Sequence, residues 1–403
     1  MSVAAELTSL STVFLKPNRQ EAVLRKHPWV FSGAIERLKG DPADGDLVQL
    51  CNQRGDFLAL GHYYNGSIAV KILSYDAQLP NVAFWHQKLQ NAYNARHLID
   101  TTNQTTTTCY RLVHGEGDGL PGLVIDWYNG VAVVQAHSIG MYRNLADIVL
   151  ALRELYSASL QAIYNKSHET LPEVFAKNVE NGYLWGNCTV PHSVQENGNT
   201  FLIDWETGQK TGFFIDQRDN RALLAMYASG KHVLNAFCYS GGFSVYALAA
   251  GAAAVDSVDA SKKAVELVER NVSANFGDHE TRHRAYAEDV TTFLRRSANT
   301  YDLMVLDPPA YAKSVAKRHQ AVQGYKRLNA EGIRRLKPNG LLFTFSCSQV
   351  VDRELFYNTI VAAALEVGRQ VRVLHQLTQA PDHPVNFFHP EGSYLKGLVL
   401  LVE

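Results

Sequence analysis

The sequence predicts an α/β protein whose carboxyl-terminal half forms a doubly wound parallel sheet. A small β-rich module and a mixed α+β region come before that sheet. From His232 onward, short apolar strands alternate with amphipathic helices, which is the pattern of βαβ units. Before residue 77, short strands are instead separated by Gly, Asp and Asn turns. The 403 residues exceed one typical core, so two or three domains are expected.

Three domains are predicted, with boundaries at 11–77, 78–190 and 191–403. The first is a β module, the second is α+β, and the third carries the parallel sheet. For the first two domains and the entry to the third, the pattern predicts strands 46–50, 55–60, 69–73, 123–127 and 132–136, helices 81–97 and 143–156, a polar linker over 100–108 and a hairpin arm over 198–204. For the sheet it predicts strands 232–236, 254–259, 284–287, 303–307, 340–345, 371–377 and 395–401, with helices from 242, 261 and 290 and over 316–336 and 352–367.

Composition excludes several classes of protein. No apolar run is long enough to span a membrane, and the start lacks the pattern of a signal peptide. The five cysteines are scattered without a Cys-x-x-Cys pair, so we expect a reduced cytoplasmic protein with no disulfide framework, no zinc cluster and no metal. The net charge of −1 means that any nucleic-acid surface must be local.

The first turn of the parallel sheet has the composition of a cofactor site. Asn235, Phe237, Ser240 and Gly241 lie in a strand-to-helix turn with paired glycines, where the backbone can approach a ligand closely. The turn lacks Gly-x-Gly-x-x-Gly, so a dinucleotide fingerprint is not met. An ordinary tight turn is the alternative.

Two acidic residues follow the next strands of this sheet. Asp259 is placed to accept from ribose hydroxyls, and Asp289 to accept from an adenine amino group; helix capping is the alternative for both. Together with the turn they favour a nucleoside-bearing cofactor without a pyrophosphate. S-adenosylmethionine (SAM) fits better than NAD because its sulfonium is cationic and the site offers carboxylates.

An acid and a thiol end two later strands. Asp307-Pro308-Pro309 follows an apolar strand, and the prolines force the chain out of the sheet. The stretch resembles the Asp-Pro-Pro-Tyr loop of amino-methyltransferases, but Ala310 is inserted before Tyr311. Asp307 could instead contact the N3/N4 edge of a cytosine.

Cys347 lies between two serines just past the next strand. A thiolate that adds to carbon-6 of cytosine makes carbon-5 nucleophilic enough to take a methyl group. Such a thiol needs nearby positive charge or a base. A small buried hydrophobe is the alternative for this residue, and Cys238 is the rival thiol.

These motifs resemble bacterial large-subunit (23S) ribosomal RNA cytosine-5 methyltransferases of the RlmI type, over nearly the whole chain. The matching stretches are Lys26–Gly33, Gly115–Asp126, Gly208–Arg221, Asn235–Phe243, Asp307–Tyr311 and Ser346–Ser348. The resemblance implies an N-terminal PUA domain, a central α/β insert and a class I (Rossmann-like) methyltransferase domain. It also implies SAM as donor, Cys347 as nucleophile and Asp307 beside it, with Pro308 in the cofactor loop. The residues it places near the cofactor are Phe214, Asp216, Gln217 and Arg218. A homodimer is compatible with the resemblance.

A basic segment follows Asp307 directly. We expect Lys313, Lys317 and Arg318 to contact RNA phosphates, whereas the basic residues from Arg334 onward fit a solvated helix face. Lys26 in the first module and Tyr311 are further RNA-binding candidates. Two other functions stay open: methylation of a guanine nitrogen on the same scaffold, and a non-catalytic PUA-type RNA-binding or assembly factor.

Overall fold

The computed structural model describes residue 7 and residues 9–99, 101–102, 105–278, 280–312 and 314–403. The chain divides into two compact units. The first comprises Met1–His192, Ile203–Phe213 and Pro381–Gly392, and the second comprises Ser193–Leu202, Phe214–Ala380 and Ser393–Glu403. The three predicted domain boundaries stay a prediction. Within the described ranges, no helix combines the length and the apolar character needed to cross a bilayer.

The first unit begins with a six-stranded mixed sheet in the order β2-β6-β5-β4-β1-β3. Its core is formed by inward-facing aliphatic residues such as Val13, Leu50 and Val70. The three strands predicted here are present as β4, β5 and β6. The strands are β1 (Ser11–Leu15), β2 (Trp29–Phe31), β3 (Ile35–Lys39), β4 (Leu47–Cys51), β5 (Phe57–Tyr63) and β6 (Ile68–Ser74), and Glu21–Leu24 is a short α-helix.

A five-stranded sheet in the order β11-β10-β9-β8-β7 follows in the same unit. Helices Val82–Leu98 and Leu145–Tyr156 pack on it, and Asn81 caps the first of them, as its side chain accepts from Phe84 N. The predicted helix 143–156 begins at Leu145, after the separate helix Ile139–Arg143. The strands are β7 (Cys109–His114), β8 (Leu123–Tyr128), β9 (Val131–Ala136), β10 (Ala162–Asn165) and β11 (Gly182–Gly186), and the last helix is Glu173–Ala176. A two-stranded hairpin then joins β12 (His192–Glu196) to β13 (Asn199–Ile203).

The second unit is built on a seven-stranded sheet in the order β16-β15-β14-β17-β18-β20-β19. Its strands are β14 (His232–Ala236), β15 (Ala254–Asp259), β16 (His283–Ala287), β17 (Tyr301–Leu306), β18 (Leu336–Ser346), β19 (Val371–Leu377) and β20 (Lys396–Val402). Its helices are Arg218–Ala228, Gly242–Ala249, Lys262–Phe276, Val290–Arg296, Arg318–Arg335 and Arg353–Val367.

The predicted alternation of strands and helices is therefore present, with one difference in direction. β14 to β18 pair in parallel, but β20 is antiparallel to both β18 and β19. No crossover helix separates β19 from β20 among the described residues, so the chain returns in the opposite direction. β20 lies next to β18, and this brings residues near the carboxyl terminus beside the end of that strand.

Candidate active site

The carboxyl ends of five parallel strands bring the candidate residues to one edge of the sheet. Ala236 pairs with Val258 on one side and with Leu306 on the other, and Leu306 pairs with Thr344. The segments that leave these strands therefore start side by side, at the edge where open α/β sheets bind ligands. The glycine turn that contains Phe237 and Gly241, Asp307 and Cys347 directly follow these strands, and Asp259 is the last residue of β15.

The glycine turn after β14 has unusual backbone conformations. Phe237 and Tyr239 have φ values of 60° and 44°, and Gly241 has 76°. A Cβ at Gly241 would lie 2.1 Å from Val268 Cγ2, so only glycine fits at the start of helix Gly242–Ala249. Strained non-glycine residues of this kind cluster at ligand sites. The geometry favours a cofactor turn over an ordinary tight turn.

Two of the predicted cofactor residues in this region are held by internal partners. Asn235 is 1% exposed and donates to Ser244 Oγ at 2.8 Å. Ser240 is also buried, and its carbonyl accepts from Asn271 Nδ2 at 2.8 Å. Their contact with a cofactor stays a prediction, and in this structure both residues act on the shape of the turn.

The two acidic residues after β15 and β16 differ in position. Asp259 accepts from the backbone N–H of Tyr239 at 3.0 Å, so it is tied to the glycine turn. The helix after it is capped by Ser261 and not by Asp259. Asp289 is exposed and caps helix Val290–Arg296, accepting from Thr292 N at 2.9 Å. Asp259 thus remains the better placed carboxylate for a ribose, and a role of Asp289 toward adenine stays a prediction.

Asp307 is fixed by a chain of amides. Gln217 Nε2 donates to Asp307 Oδ2 at 2.9 Å, and Asn220 Nδ2 donates to Gln217 Oε1 at 2.6 Å. Asn220 is held in turn by the carbonyl of Thr378 at 3.1 Å. Removal from water, and secondly the negative charge of Asp216, raise the pKa of Asp307 to about 7. Asp307 keeps some solvent exposure at the strand end, so this carboxyl is oriented, accessible and able to hold a proton near neutral pH.

Asp216 adds a second carboxylate to this site. Its Oδ2 accepts from Tyr394 OH at 2.5 Å, and its backbone carbonyl accepts from Ala380 N at 2.9 Å. Its Oδ1 is buried and has no hydrogen-bond partner among the described residues. A buried carboxylate oxygen without a partner is unfavourable unless a ligand supplies a donor. The ammonium group of SAM would supply such a donor to Asp216 Oδ1.

The segment that carries these residues is anchored by a buried ion pair. Arg221 Nε and Nη2 donate to the two carboxylate oxygens of Glu196 at 2.8 and 2.7 Å, and Arg221 Nη1 donates to Phe214 O at 3.0 Å. The Phe214 ring lies 5.2 Å from that of Tyr239, edge to face. Arg218 begins the following helix and is 6% exposed. The predicted residues Phe214, Asp216 and Gln217 are therefore held in place by hydrogen bonds and packing, and the Phe214 ring contacts the glycine turn at Tyr239.

The thiol of Cys347 follows β18 in a loop whose serines are buried. Ser348 Oγ lies 3.0 Å from Tyr325 OH, and Ser348 N donates to Ser346 Oγ at 3.4 Å. Cys347 between them retains partial exposure. The rival Cys238 is 6% exposed, and burial raises the pKa of its thiol well above the usual value. The structure thus favours Cys347 over Cys238 as an accessible thiol.

A buried lysine that the sequence reasoning missed lies beside this thiol. Lys396 begins β20, pairs with Ser346, and is 4% exposed. Its Nζ donates to Ser348 O at 2.7 Å. Burial lowers the pKa of Lys396 to about 8, and the neighbouring Cys347 opposes that shift. The sequence feature that could have pointed to Lys396 is its position as the only charged residue of an otherwise apolar strand, directly after Leu395.

The Tyr311 ring packs inside the second unit, and the predicted contact of Pro308 with the cofactor stays a prediction. The Tyr311 ring lies 4.6 Å from that of Tyr325 and packs against the core of the second unit. A Cβ at Gly324 would lie 3.0 Å from this ring, so the space is already filled. Pro308 is buried directly after Asp307. Tyr311 therefore supports Tyr325, which in turn holds the Cys347 loop, and a contact of Tyr311 with RNA stays a prediction.

The basic candidates are exposed where the structure describes them. Lys317 and Arg318 open helix Arg318–Arg335, and every described residue from 314 to 320 is exposed. Lys313 lies outside the described residues. Further along, Arg334 pairs with Glu331 at 2.9 Å, as expected for a solvated helix face. In the first unit, Lys26 is exposed and its Nζ lies 4.2 Å from the centre of the Tyr75 ring.

Comparison with known families agrees with this site. Residues 110–386 match the model of the S-adenosylmethionine-dependent methyltransferase family, and residues 13–75 match a PUA-like domain. Two solved structures share the fold over 97% of this chain and all of their own. One is named as a SAM-dependent methyltransferase from Streptococcus mutans, with a TM-score of 0.83 and 26% identity. The other is a methyltransferase complexed with SAH, with a TM-score of 0.84 and 25% identity.

Curated relatives match over almost the full length. A protein from Tolumonas auensis is 39% identical over 97% of this chain and 99% of its own, and one from Aeromonas hydrophila is 38% identical over the same shares. Both are named ribosomal RNA large subunit methyltransferase I. The resemblance and the SAM cofactor expected from the sequence are confirmed. The chain belongs to the ribosomal RNA large subunit methyltransferase I family, as a SAM-dependent methyltransferase with an N-terminal PUA-like domain.

Proposed function

We propose that this enzyme places a methyl group on carbon-5 of a cytidine in large-subunit (23S) ribosomal RNA, through a covalent adduct with Cys347. The observation that carries this proposal is the partly exposed thiol of Cys347 between buried serines, beside the buried cation of Lys396, on the strand next to Asp307. Methylation of a guanine nitrogen would need neither the thiol nor the cation. SAM supplies the methyl group as an electrophile.

Asp307 is suited to hold the base. At a pKa of about 7 its carboxyl is close to half protonated near neutral pH. A protonated carboxyl donates to N3 of cytosine, where electron density builds up when the thiolate adds to carbon-6. Gln217 keeps Oδ2 oriented during this step. Asp307 thus orients and polarises the ring that Cys347 attacks.

The proposed reaction forms and then breaks one covalent bond at Cys347. The thiolate forms a bond to carbon-6 as the carbon-5 to carbon-6 double bond opens, and N3 takes the proton of Asp307. Carbon-5 then takes the methyl group of the donor, whose sulfur leaves as a neutral thioether. Solvent water then takes the carbon-5 proton, the bond between sulfur and carbon-6 breaks to release the thiolate, and N3 returns its proton to Asp307, which restores the ring and the free enzyme.

Lys396 supports the thiolate. Because neutral pH is below the Lys396 pKa of about 8, this side chain is mostly cationic there. Its Nζ is anchored on Ser348 O, one residue from the thiol, so its charge cannot move away into water. A fixed cation of this kind stabilises a neighbouring thiolate. Lys396 is therefore proposed as a positioning residue for the nucleophile.

RNA binding is proposed for the exposed basic residues. Lys317 and Arg318 are exposed at the start of helix Arg318–Arg335, which follows the Asp307 loop along the chain, and this supports phosphate contacts near the target base. Lys313 is proposed from the sequence alone. Lys26 offers a further basic contact on the PUA-like sheet. A cytoplasmic location and a homodimer complete the proposal. The location rests on the five scattered cysteines, and the homodimer rests on the family resemblance.

A methyl-transfer assay tests the proposal. Wild-type protein and labelled SAM are incubated with large-subunit RNA from a strain that lacks the enzyme, and the modified nucleoside is identified after digestion. We expect 5-methylcytidine, and we expect Cys347→Ala to abolish transfer while keeping SAM binding. Cys188→Ala is the matched control, since Cys188 is the other cysteine with intermediate exposure. A methylated guanine as product, or an active Cys347→Ala enzyme, would overturn the proposal; no transfer by the wild type would favour an RNA-binding or assembly factor.

A further inference from the structure

A group of metal-ligating side chains lies in the first unit, apart from the residues described above. It consists of His27, His389 and Glu391, each of which offers one ligand atom within 4.8 Å of the other two. His27 precedes β2. The other two lie in Pro381–Gly392, a segment that belongs to the same unit. Two imidazoles and a carboxylate are a ligand set typical of zinc and related first-row ions.

The two ring nitrogens of His389 lack hydrogen-bond partners in the described part of the chain. It is 3% exposed, and both of its ring nitrogens are buried with no hydrogen bond to any described residue. Glu391 Oε2 lies 3.8 Å from His389 Nε2, too far for a hydrogen bond. Buried polar groups are nearly always satisfied by protein, water or an ion. An unsatisfied imidazole that faces a carboxylate and a second imidazole points to an ion.

The two imidazoles have the spacing that a shared ion requires. Nitrogens about 2.1 Å from a tetrahedral zinc ion place two ring centroids about 5.3 Å apart. The centroids of His27 and His389 are 5.4 Å apart, with the rings at 69°. His27 Nδ1 lies 3.1 Å from Trp29 O and 3.2 Å from Trp29 N, so this nitrogen makes the hydrogen bonds to the protein. In the tautomer protonated at Nδ1, that nitrogen donates to Trp29 O and Nε2 is left for the ion. Metal-bound histidines typically show this outer hydrogen bond.

We propose that His27, His389 and Glu391 bind one divalent first-row transition ion of the zinc class and thereby fasten the Pro381–Gly392 segment to β2. Trp29 covers the site, with its ring centroid 4.2 Å from that of His389, and its Nε1 donates to Glu116 at 2.9 Å. Glu116 adds a nearby negative charge that balances the cation. The expectation of no metal rested on the cysteines, and the more than 350 residues between the ligands leave no local signal in the sequence.

Metal titration of the full-length protein tests this site. The protein is treated with EDTA, freed of chelator, and titrated with Zn²⁺ by calorimetry and with Co²⁺ by visible absorption. We expect one saturable equivalent and a tetrahedral cobalt spectrum without a thiolate charge-transfer band. His389→Ala and Glu391→Gln should each weaken binding at least tenfold. His168→Ala is the matched control, because His168 and Glu169 form an exposed pair 4.0 Å apart.

The competing site is the thiol of Cys188, which lies 3.2 Å from His192 Nδ1. Cys188→Ala should leave zinc binding unchanged. The proposal fails if the wild type binds no stoichiometric zinc, if the cobalt spectrum shows thiolate ligation, or if Glu391→Gln binds as the wild type does. Glu391 is exposed, so this variant should fold even where His389→Ala does not.

Discussion

Replacing Lys396 by methionine removes one positive charge beside the candidate nucleophile and keeps nearly the same side-chain volume. Lys396 is 4% exposed, and its Nζ is held 2.7 Å from Ser348 O, next to Cys347. Two unit charges about 6 Å apart interact by about 3 kcal/mol at an effective dielectric constant of about 20. Because Cys347 is partly exposed, we expect about half of this, roughly 1.4 kcal/mol, which lowers the thiolate population about tenfold.

The assay is the rate of alkylation of Cys347 by iodoacetamide at pH 7, followed by mass spectrometry of the peptide that contains it. Lys396→Met should alkylate about tenfold more slowly than the wild type, and single-turnover methyl transfer should fall by a similar factor. Since the sign of the effect comes from charge, Lys396→Arg should recover part of the alkylation rate. SAM affinity should change little, because Lys396 is not among the residues predicted to bind the donor.

Lys262→Met is the matched control for this experiment. Lys262 is an exposed lysine that begins helix Lys262–Phe276, and its loss should leave the alkylation rate unchanged. Melting temperatures check that the Lys396 variants are folded, because methionine removes the hydrogen bond from Lys396 to Ser348 O and leaves that oxygen only the donor Val351 N among the described residues. A folded Lys396→Met protein whose Cys347 alkylates at the wild-type rate would refute the role given to this lysine.

Two further predictions concern stability. Arg221→Met should destabilise the second unit by about 3–5 kcal/mol, since it leaves the Glu196 carboxylate buried and unpaired; a shift of the urea midpoint no larger than that of a surface variant would contradict this. The pKa of Asp307 is raised in the folded protein, so its carboxylate opposes folding above pH 4, and the penalty grows as the pH rises toward about 7. Asp307→Asn should therefore stabilise the protein at pH 8, by about 2 kcal/mol after allowance for partial exposure, with little effect near pH 4, while methyl transfer is lost. An equal gain in the free energy of unfolding at pH 4 and at pH 8 would show that the pKa of Asp307 does not lie near 7 in the folded protein.

Much of the second unit follows from local patterns in the sequence. The strand before Asp307 is recognisable because its apolar run ends in two prolines, and the parallel order brings Asp307, Asp259 and the glycine turn to one edge. The sequence also allowed helix capping by Asp289 and a solvated helix face at Arg334, and the structure has both. For the prolines after Asp307, the cap at Asp289 and the pair of Arg334 with Glu331, the deciding residues lie only a few positions apart along the chain.

What the sequence could not predict depends on contacts between distant segments. Lys396 reaches Ser348 because β20 pairs antiparallel with β18, and a pattern of strands and helices does not fix that direction. The amide chain from Asn220 to Gln217 ends on Thr378, far along the chain. The sequence also carries no sign that the amide of Asn235 donates to the buried Ser244, and the predicted contact of Asn235 with the cofactor stays a prediction. Pairing of this kind depends on the three-dimensional structure and not on composition.

The covalent role of Cys347 is tested most directly with RNA in which 5-fluorocytidine replaces cytidine. Carbon-5 then carries fluorine and has no proton to lose after methyl transfer, so the adduct cannot break down. We predict a stable protein–RNA adduct that forms only with SAM and that peptide mass spectrometry maps to Cys347. Absence of an adduct under conditions where unmodified RNA is methylated, or an adduct that persists in Cys347→Ala, would contradict the mechanism.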